Sequence, residues 1–129
     1  MAKSGLKGRR KWKPVPEDLI RSFDEVISGL VGVTRRKMFG CPCAFMNGNM
    51  FFGCFEDDIF MRLSQEDREE ALGSGRFSPF EPVPGRRMRE YVEAPGEFIR
   101  SGGDFESWFE RSLKYALSLP PKQAKGNKG

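Results

Sequence analysis

Residues 35–55 of the chain are RRKMFGCPCAFMNGNMFFGCF, its densest apolar segment, with Asn47-Gly48 near the middle. Asn-Gly between two apolar runs is the strongest short-range signal for a β-hairpin, because a type I′ turn needs positive φ at both central residues. The segment therefore predicts two antiparallel strands, at about 36–46 and 49–55, in the centre of the fold.

Turn and capping signals then divide the next part of the chain. The predicted elements are an acidic turn at 56–58, a strand at 59–63, a helix at 65–72 capped by Ser64, a loop at 73–85, a strand at 87–93 and a helical turn opened by Pro95. In the loop, Phe77 and Phe80 are expected to anchor onto the core.

Two segments show one apolar stripe at helical period, one on each side of this region. The first stripe is Leu19, Ile20, Phe23, Val26, Ile27 and Leu30, and the second is Phe105, Trp108, Phe109, Leu113, Ala116 and Leu117. Asp104 is expected to cap the second helix, and Pro120-Pro121 to end it. The prediction is an α+β domain in which an antiparallel sheet, a three-strand meander plus a later strand or strands, carries N- and C-terminal amphipathic helices.

The charge is divided unevenly along the 129 residues. Residues 1–13 carry six basic side chains and 120–129 carry three, with no acidic residue in either segment. Residues 14–119 then hold 13 basic against 18 acidic residues, a net charge of −5. This pattern predicts a single domain at 14–119 between two basic, flexible ends, which allow weak nucleic-acid binding or serve as solvated tails.

Composition limits the class of protein. No run approaches the roughly 18 apolar residues of a membrane span, and the basic N-terminus lacks the apolar stretch of a signal peptide. Three cysteines are an odd number, and a domain of this size does not need disulfides. We therefore expect a cytoplasmic protein with reduced thiols and no contact with a membrane.

The cysteines lie where a hairpin would bring them together. A two-residue loop at Asn47-Gly48 pairs residues whose numbers sum to 95, so Cys41 would face Cys54, with Cys43 on the same face. A strained disulfide or a three-thiolate metal site is then conceivable. Against it, Pro42 would fall at a hydrogen-bonded position, which indicates a bulge, and the chain has no histidine. Buried structural thiols are the simpler interpretation.

Two surface hypotheses follow from the same segment. Arg35, Arg36 and Lys37, with Arg86 and Arg87, could bind a phosphate or a partner's carboxylate, or could be a solvated strand end that pairs with the acidic turn. The second apolar face of the hairpin would be exposed if helices cover only one side of the sheet, which predicts a homodimer or partner interface. Its candidate residues are Ala44, Met46, Phe51 and Phe55.

Catalytic motifs are missing from the sequence. Without histidine no Ser/His/Asp set exists, and GSGRFSPF at 73–80 matches neither a P-loop nor a dinucleotide-binding loop. The carboxylate pairs Asp57-Asp58 and Glu69-Glu70 lie in turn and helix-surface contexts. We expect no enzymatic activity and no cofactor.

The chain resembles the TfoX N-terminal domain family from its first helix to about Ser118. The segments that carry the resemblance are Arg36-Lys37-Met38-Phe39-Gly40, the hairpin with Gly48 and Met50-Phe51, Ile59-Phe60-Met61-Arg62, Met88-Arg89-Glu90-Tyr91-Val92, the Pro95 turn and the tryptophan-bearing last helix. The resemblance implies an α+β fold related to secretion-chaperone-like domains. It also implies a role near the regulation of bacterial competence, in which such regulators usually carry a second, helical C-terminal domain.

These observations favour a regulatory, non-enzymatic protein-interaction domain. Two other functions stay open at this point. One is a thiol- or metal-responsive module that uses Cys41, Cys43 and Cys54, and the other is a nucleic-acid accessory domain that acts through the basic ends.

Overall fold

The computed structural model describes residues 13–122. Its elements are α1 (Glu17–Ile27), β1 (Val33–Met38), β2 (Cys41–Met46), β3 (Asn49–Phe55), β4 (Asp58–Arg62), α2 (Gln65–Gly73), β5 (Ser78–Pro79), β6 (Tyr91–Pro95), a 3₁₀ helix (Gly96–Arg100) and α3 (Gly103–Ser118). None of the helices in this part of the chain has the length and hydropathy that crossing a bilayer requires. Most of the two predicted basic ends, residues 1–12 and 123–129, lies outside the described residues.

All six strands form one antiparallel sheet in the order β1-β2-β3-β4-β6-β5. The first four strands are a meander, and the later strands add beyond β4. Both α1 and α3 pack on the same side of the sheet, where their apolar stripes meet the strands in one buried cluster. The predicted α+β class is confirmed.

The first predicted strand, 36–46, is in fact two strands, β1 and β2. Phe39 and Gly40 connect them with φ of 58° and 78°. Positive φ at both residues is the same turn geometry that Asn47 and Gly48 adopt, with φ of 53° and 82°. A phenylalanine rarely adopts positive φ, so Phe39-Gly40 gives little turn signal in the sequence.

The register between β2 and β3 changes along the hairpin. Next to the turn, Phe45 pairs with Met50 and Met46 with Asn49, as predicted. The register then shifts between Ala44 and Phe45, so that Ala44 lies opposite Phe52 and Cys43 opposite Gly53. Phe51 is the extra residue of a β-bulge. The sequence indicated a bulge near Pro42, but the bulge lies on β3.

The bulge reverses the faces predicted for the second half of β3. Phe52 and Cys54 join Ala44, Met46 and Phe51 on the side covered by the helices, which we call the helix face. Phe55 moves to the opposite side with Cys41, Cys43, Met50 and Phe60, which we call the loop face. Because each residue after the bulge points to the other side, the predicted facing of Cys41 and Cys54 is wrong.

Both phenylalanines of the bulge enter the core beneath the helices. Phe109 of α3 contacts Phe51 and Phe52, with ring centroids 5.9 and 5.0 Å apart. Phe23 of α1 stacks on Phe52 at 5.2 Å. Burying a phenylalanine contributes about 1.5–3 kcal/mol, so the bulge adds a second large side chain to the helix face where regular alternation would place one.

The loop face is not open to solvent. The segment between α2 and β6 folds across it, and Phe80 stacks on Phe60 with ring centroids 4.5 Å apart. Phe80 is fully buried and Phe77 nearly so, which confirms both as anchors. The expectation that one face of the hairpin would be exposed is therefore wrong, because this long loop covers the face that the helices leave.

Three local predictions can be compared with the structure. The Ser64 hydroxyl accepts a hydrogen bond from the Asp67 N–H, as a capping residue should. Asp104 does not cap α3, because Gly102 occupies the cap position and the Asp104 carboxylate pairs with Arg76 at 2.9 Å. The strand predicted at 87–93 begins only at Tyr91.

Two side-chain hydroxyls bond backbone carbonyls at the bulge and next to it. The buried Ser112 hydroxyl lies 2.9 Å from the carbonyl oxygen of Phe51 and 2.7 Å from that of Arg62, and its hydrogen serves both. From the other side of the sheet, the Tyr91 hydroxyl donates to the carbonyl oxygen of Met50 at 2.9 Å. Buried carbonyls without a donor are costly, so these contacts hold the bulge in place.

Replacing Ser112 with alanine should therefore destabilise the domain. The change removes the donor shared by two carbonyls, and we expect a loss of about 1–3 kcal/mol in the free energy of unfolding. Urea unfolding measures it. Ser118→Ala is the matched control, because that serine also bonds a backbone carbonyl but at the exposed end of α3. Equal unfolding midpoints for the two variants would contradict the assigned role.

Candidate functional site

The three cysteines do not form a shared site. Cys41 and Cys43 lie on the loop face and Cys54 on the helix face, and all three are free and buried. Burial raises the pKa of Cys43 and of Cys54 to about 12, and it also raises the pKa of Cys41. Since the thiolate is the form that attacks electrophiles and binds metals, burial disfavours both reactions at these thiols, and most strongly at Cys43 and Cys54.

The part of the chain that the structure describes has no preformed metal site. No group of three or more cysteine and carboxylate side chains is arranged there to hold an ion. The three-thiolate site considered from the sequence required all three thiols on one face, and the bulge separates Cys54 from the other two.

The four interface candidates are buried within the chain. Ala44 and Phe51 are fully buried, and Met46 and Phe55 are 6% exposed. The first three pack under the helices, whereas Phe55 contacts Phe80 on the loop face, with ring centroids 5.5 Å apart. An interface between copies stays a prediction, but these side chains are not at the surface to form it.

The basic candidates divide into two groups. Arg35, Arg36 and Lys37 are consecutive exposed residues of β1, while Arg86 and Arg87 are exposed in the loop that crosses the other end of the sheet. In this loop the backbone of Arg86 pairs with Val83 in an isolated bridge. The strand residues form the more ordered part of the predicted patch.

Neighbouring groups hold two of the strand cations against opposite faces of the sheet. The Arg35 side chain donates to the Asp24 carboxylate of α1 at 2.7 Å and lies over the Phe23 ring. The Arg36 guanidinium lies over the Phe45 ring, 4.7 Å from its centroid. The expected pairing of this cluster with the acidic turn is not observed, because Lys13 pairs with Asp57 in that turn.

Strand β1 is also the edge of the sheet. It pairs with β2 along six consecutive residues, from Val33 opposite Met46 to Met38 opposite Cys41, without a bulge. Its other side pairs with no strand within residues 13–122. The basic residues predicted from the sequence thus lie on a regular, unpaired strand edge, a feature that the sequence did not reveal because β1 was predicted as part of β2.

Exposed apolar side chains lie at both ends of this strand. Val31, two residues before β1, is 93% exposed, and Phe39, directly after it, is 38% exposed. Phe39 packs its ring against Phe55 with centroids 6.1 Å apart, so it is anchored while part of its surface remains open to solvent. We call Val31, Arg35, Arg36, Lys37 and Phe39 the β1 edge surface. Sequence reasoning missed Val31 and Phe39 as surface residues.

A pair of carboxyl groups lies on β4 and β6, in the half of the sheet away from β1. Glu93 of β6 is half-buried opposite Phe60 and hydrogen-bonds the side chain of Asp58 on β4. Desolvation, this hydrogen bond and the negative charges of Asp58 and Glu56 raise the pKa of Glu93 to about 8. The protonated form of Glu93 is therefore favoured near neutral pH.

One cavity of about 370 Å³ opens beside the 3₁₀ helix. Its lining residues are Gly75, Arg76, Pro95, Glu97, Phe98 and Ser101. Its one cationic group, Arg76, is already bonded to Asp104 at 2.9 Å and lies over the Phe98 ring. The cavity therefore presents little free charge for a ligand.

The buried thiols should react slowly in the native protein. At pH 8 a thiol with a pKa of about 12 is a thiolate in only about one molecule in 10⁴. We expect a disulfide reagent such as DTNB to modify Cys43 and Cys54 only after urea unfolding, with Cys41 first among the three. Rapid release of three equivalents of thionitrobenzoate from the folded protein would contradict this.

The raised pKa of Glu93 should make stability fall as the pH rises. The pKa of Glu93 is near 4.5 in the unfolded state and about 8 in the folded state, so between these pH values the folded state holds a proton that the unfolded state has lost. The stabilising effect of this proton is complete below pH 4.5, decreases as the pH rises, and is lost above about pH 8. Glu93→Gln keeps a neutral donor toward Asp58. It should raise the melting temperature at pH 9 and change it little at pH 5.

The matched control is Glu25→Gln, which changes an exposed carboxylate on α1. Differential scanning calorimetry at pH 5, 7 and 9 measures all three proteins. Equal shifts for both variants at pH 9 would show that net charge, rather than the buried position of Glu93, sets the effect.

The comparisons with known proteins add the family. The model of the TfoX N-terminal domain matches residues 25–116. This range begins inside α1, covers the whole sheet and ends two residues before α3 does. No curated protein and no solved structure matches the chain. The chain therefore belongs to the TfoX N-terminal domain family.

Proposed function

We propose that this domain is a non-enzymatic regulatory module that acts by contacting another protein in the cytoplasm. The observation that carries the proposal is the β1 edge surface. Its three basic residues lie on β1, whose outer side pairs with no other strand among residues 13–122, and two exposed apolar side chains lie beside the ends of this strand. We propose the control of genes for DNA uptake as the setting of such contacts, and the resemblance to competence regulators supports it.

The chemistry of the chain supports a role without catalysis. The sequence has no histidine to act as a base near neutral pH. Burial raises the pKa of all three thiols, which favours their protonated form, and the carboxyl with the strongly raised pKa, Glu93, lies within the sheet on β6. These features suit a binding module better than an active site.

The two alternative functions receive less support. A thiol- or metal-responsive module would need thiols that can ionise together, and Cys54 lies on the face opposite Cys41 and Cys43. A nucleic-acid accessory domain would act through the basic ends, most of which lie outside the described residues. Lys13, the last residue of the N-terminal basic segment, is paired with Asp57.

The regulatory proposal is tested by complementing a deletion of the gene in its own host. We expect the deletion to change the transcript levels of DNA-uptake genes and the parent chain to restore them. Arg36→Glu/Lys37→Glu should fail to restore them, because reversing two charges removes the attraction for the partner. RNA sequencing measures the transcripts.

The matched control reverses two charges elsewhere. Arg89 and Lys114 are exposed, on the loop before β6 and on α3, and Arg89→Glu/Lys114→Glu should restore the transcripts as the parent does. Circular dichroism confirms that both double variants fold. No transcript change on deletion, or full restoration by the β1 variant, would overturn the proposal.

A further inference from the structure

The outer side of β1 presents backbone groups at alternate residues. Met38 and Cys41 flank the two-residue turn and so exchange hydrogen bonds, and the same pattern recurs at every second pair. The N–H and C=O groups of Val33, Arg35 and Lys37 then point away from β2. Pro42, which has no N–H, lies opposite Lys37, where none is needed.

The two edges of the sheet are protected in different ways. At the far edge, β5 is two residues long and includes Pro79, so it offers little for another strand to pair with. Strand β1 is six residues long, with neither a proline nor a bulge. Of the usual devices that protect an edge, the cationic side chains are the one that residues 13–122 provide for β1.

The cationic side chains of β1 repel some strands that could pair with its edge and attract others. A second copy of β1 would bring arginine and lysine side chains opposite one another, and like charges directly across a strand pair are destabilising. An acidic strand would find opposite charges instead, on both faces, since Arg35 and Lys37 lie on the helix side and Arg36 on the loop side. The edge therefore discriminates by charge among extended chains that offer the same backbone hydrogen bonds.

We propose that β1 accepts an acidic, extended segment of a partner protein as a seventh strand of the sheet. The partner's backbone bonds to Val33, Arg35 and Lys37, and its carboxylates lie beside Arg36 and Lys37. Apolar residues at the ends of the segment contact Val31 and Phe39. This mode of binding rests on the proposed function and specifies how the β1 edge surface would recognise its partner.

The test uses a fluorescein-labelled nonapeptide of five glutamates flanked at each end by two valines, with binding followed by fluorescence anisotropy. Consecutive glutamates place carboxylates on both faces of the added strand. Two substitutions at one residue separate the effect of the side-chain charge from the effect of the backbone N–H. Lys37→Gln removes the charge alone, whereas Lys37→Pro also removes the outward N–H and leaves the β1–β2 ladder intact. We expect Lys37→Pro to bind the peptide at least about fivefold more weakly than Lys37→Gln does, because it lacks one backbone hydrogen bond to the peptide.

A second comparison does not depend on how well the proline variant folds. The same peptide with every amide N-methylated keeps its charges but cannot pair with a strand, and it should bind the parent protein at least about tenfold more weakly. A lysine-valine nonapeptide should not bind. Equal affinity for the methylated and unmethylated peptides, or for the two Lys37 variants, would overturn strand addition.

The outcomes also distinguish this inference from the function on which it rests. If Arg36→Glu/Lys37→Glu fails to restore transcripts while the methylated and unmethylated peptides bind equally well, the β1 edge surface contacts the partner but not by strand pairing. If duplex DNA displaces the peptide and binds both Lys37 variants equally, the edge is a general polyanion surface, which also overturns the inference.

Discussion

The extra residue Phe51 in β3 is the constraint on which most of the other structural features depend. Its bulge turns Phe51 and Phe52 to the same side, where Phe109 packs on both rings. Regular alternation would instead place one of them on the loop face. The Ser112 and Tyr91 hydroxyls bond the carbonyl oxygens of Phe51 and of its neighbour Met50, and so tie the bulge to α3 and β6. One irregularity thus supports the helix packing and separates the cysteines.

Aromatic residues fill both faces of this sheet, whereas charged residues lie along one of its edges. Phenylalanines fill both faces, so neither face is left for a partner, and the edges of the sheet remain. The short edge strand with Pro79 offers little for pairing, whereas within the described part of the chain the six-residue β1 is protected by charge. Because Arg35 and Arg36 are held by Asp24 and Phe45, this charge has a fixed position on the sheet.

Features with local causes could be predicted from the sequence. The Asn47-Gly48 turn, the first pairs of the hairpin, the amphipathic stripes of α1 and α3 and the family all follow from short-range patterns. The Phe39-Gly40 turn was missed because phenylalanine seldom adopts positive φ. The bulge was misplaced because its stability depends on Ser112, 61 residues away along the chain. The raised pKa of Glu93 likewise depends on burial in the folded sheet and on Asp58 of a neighbouring strand, which no local pattern shows.

The most direct test is the pairing of β2 with β3 in solution. Cross-strand nuclear Overhauser effects in an isotopically labelled sample report which backbone protons lie close together. A bulge at Phe51 predicts contacts of Ala44 with Phe52 and of Cys43 with Gly53, after a regular pair of Phe45 with Met50. Contacts of Cys43 with Phe52 and of Cys41 with Cys54 would show an uninterrupted hairpin, and would contradict both the packing of the core and the separation of the thiols.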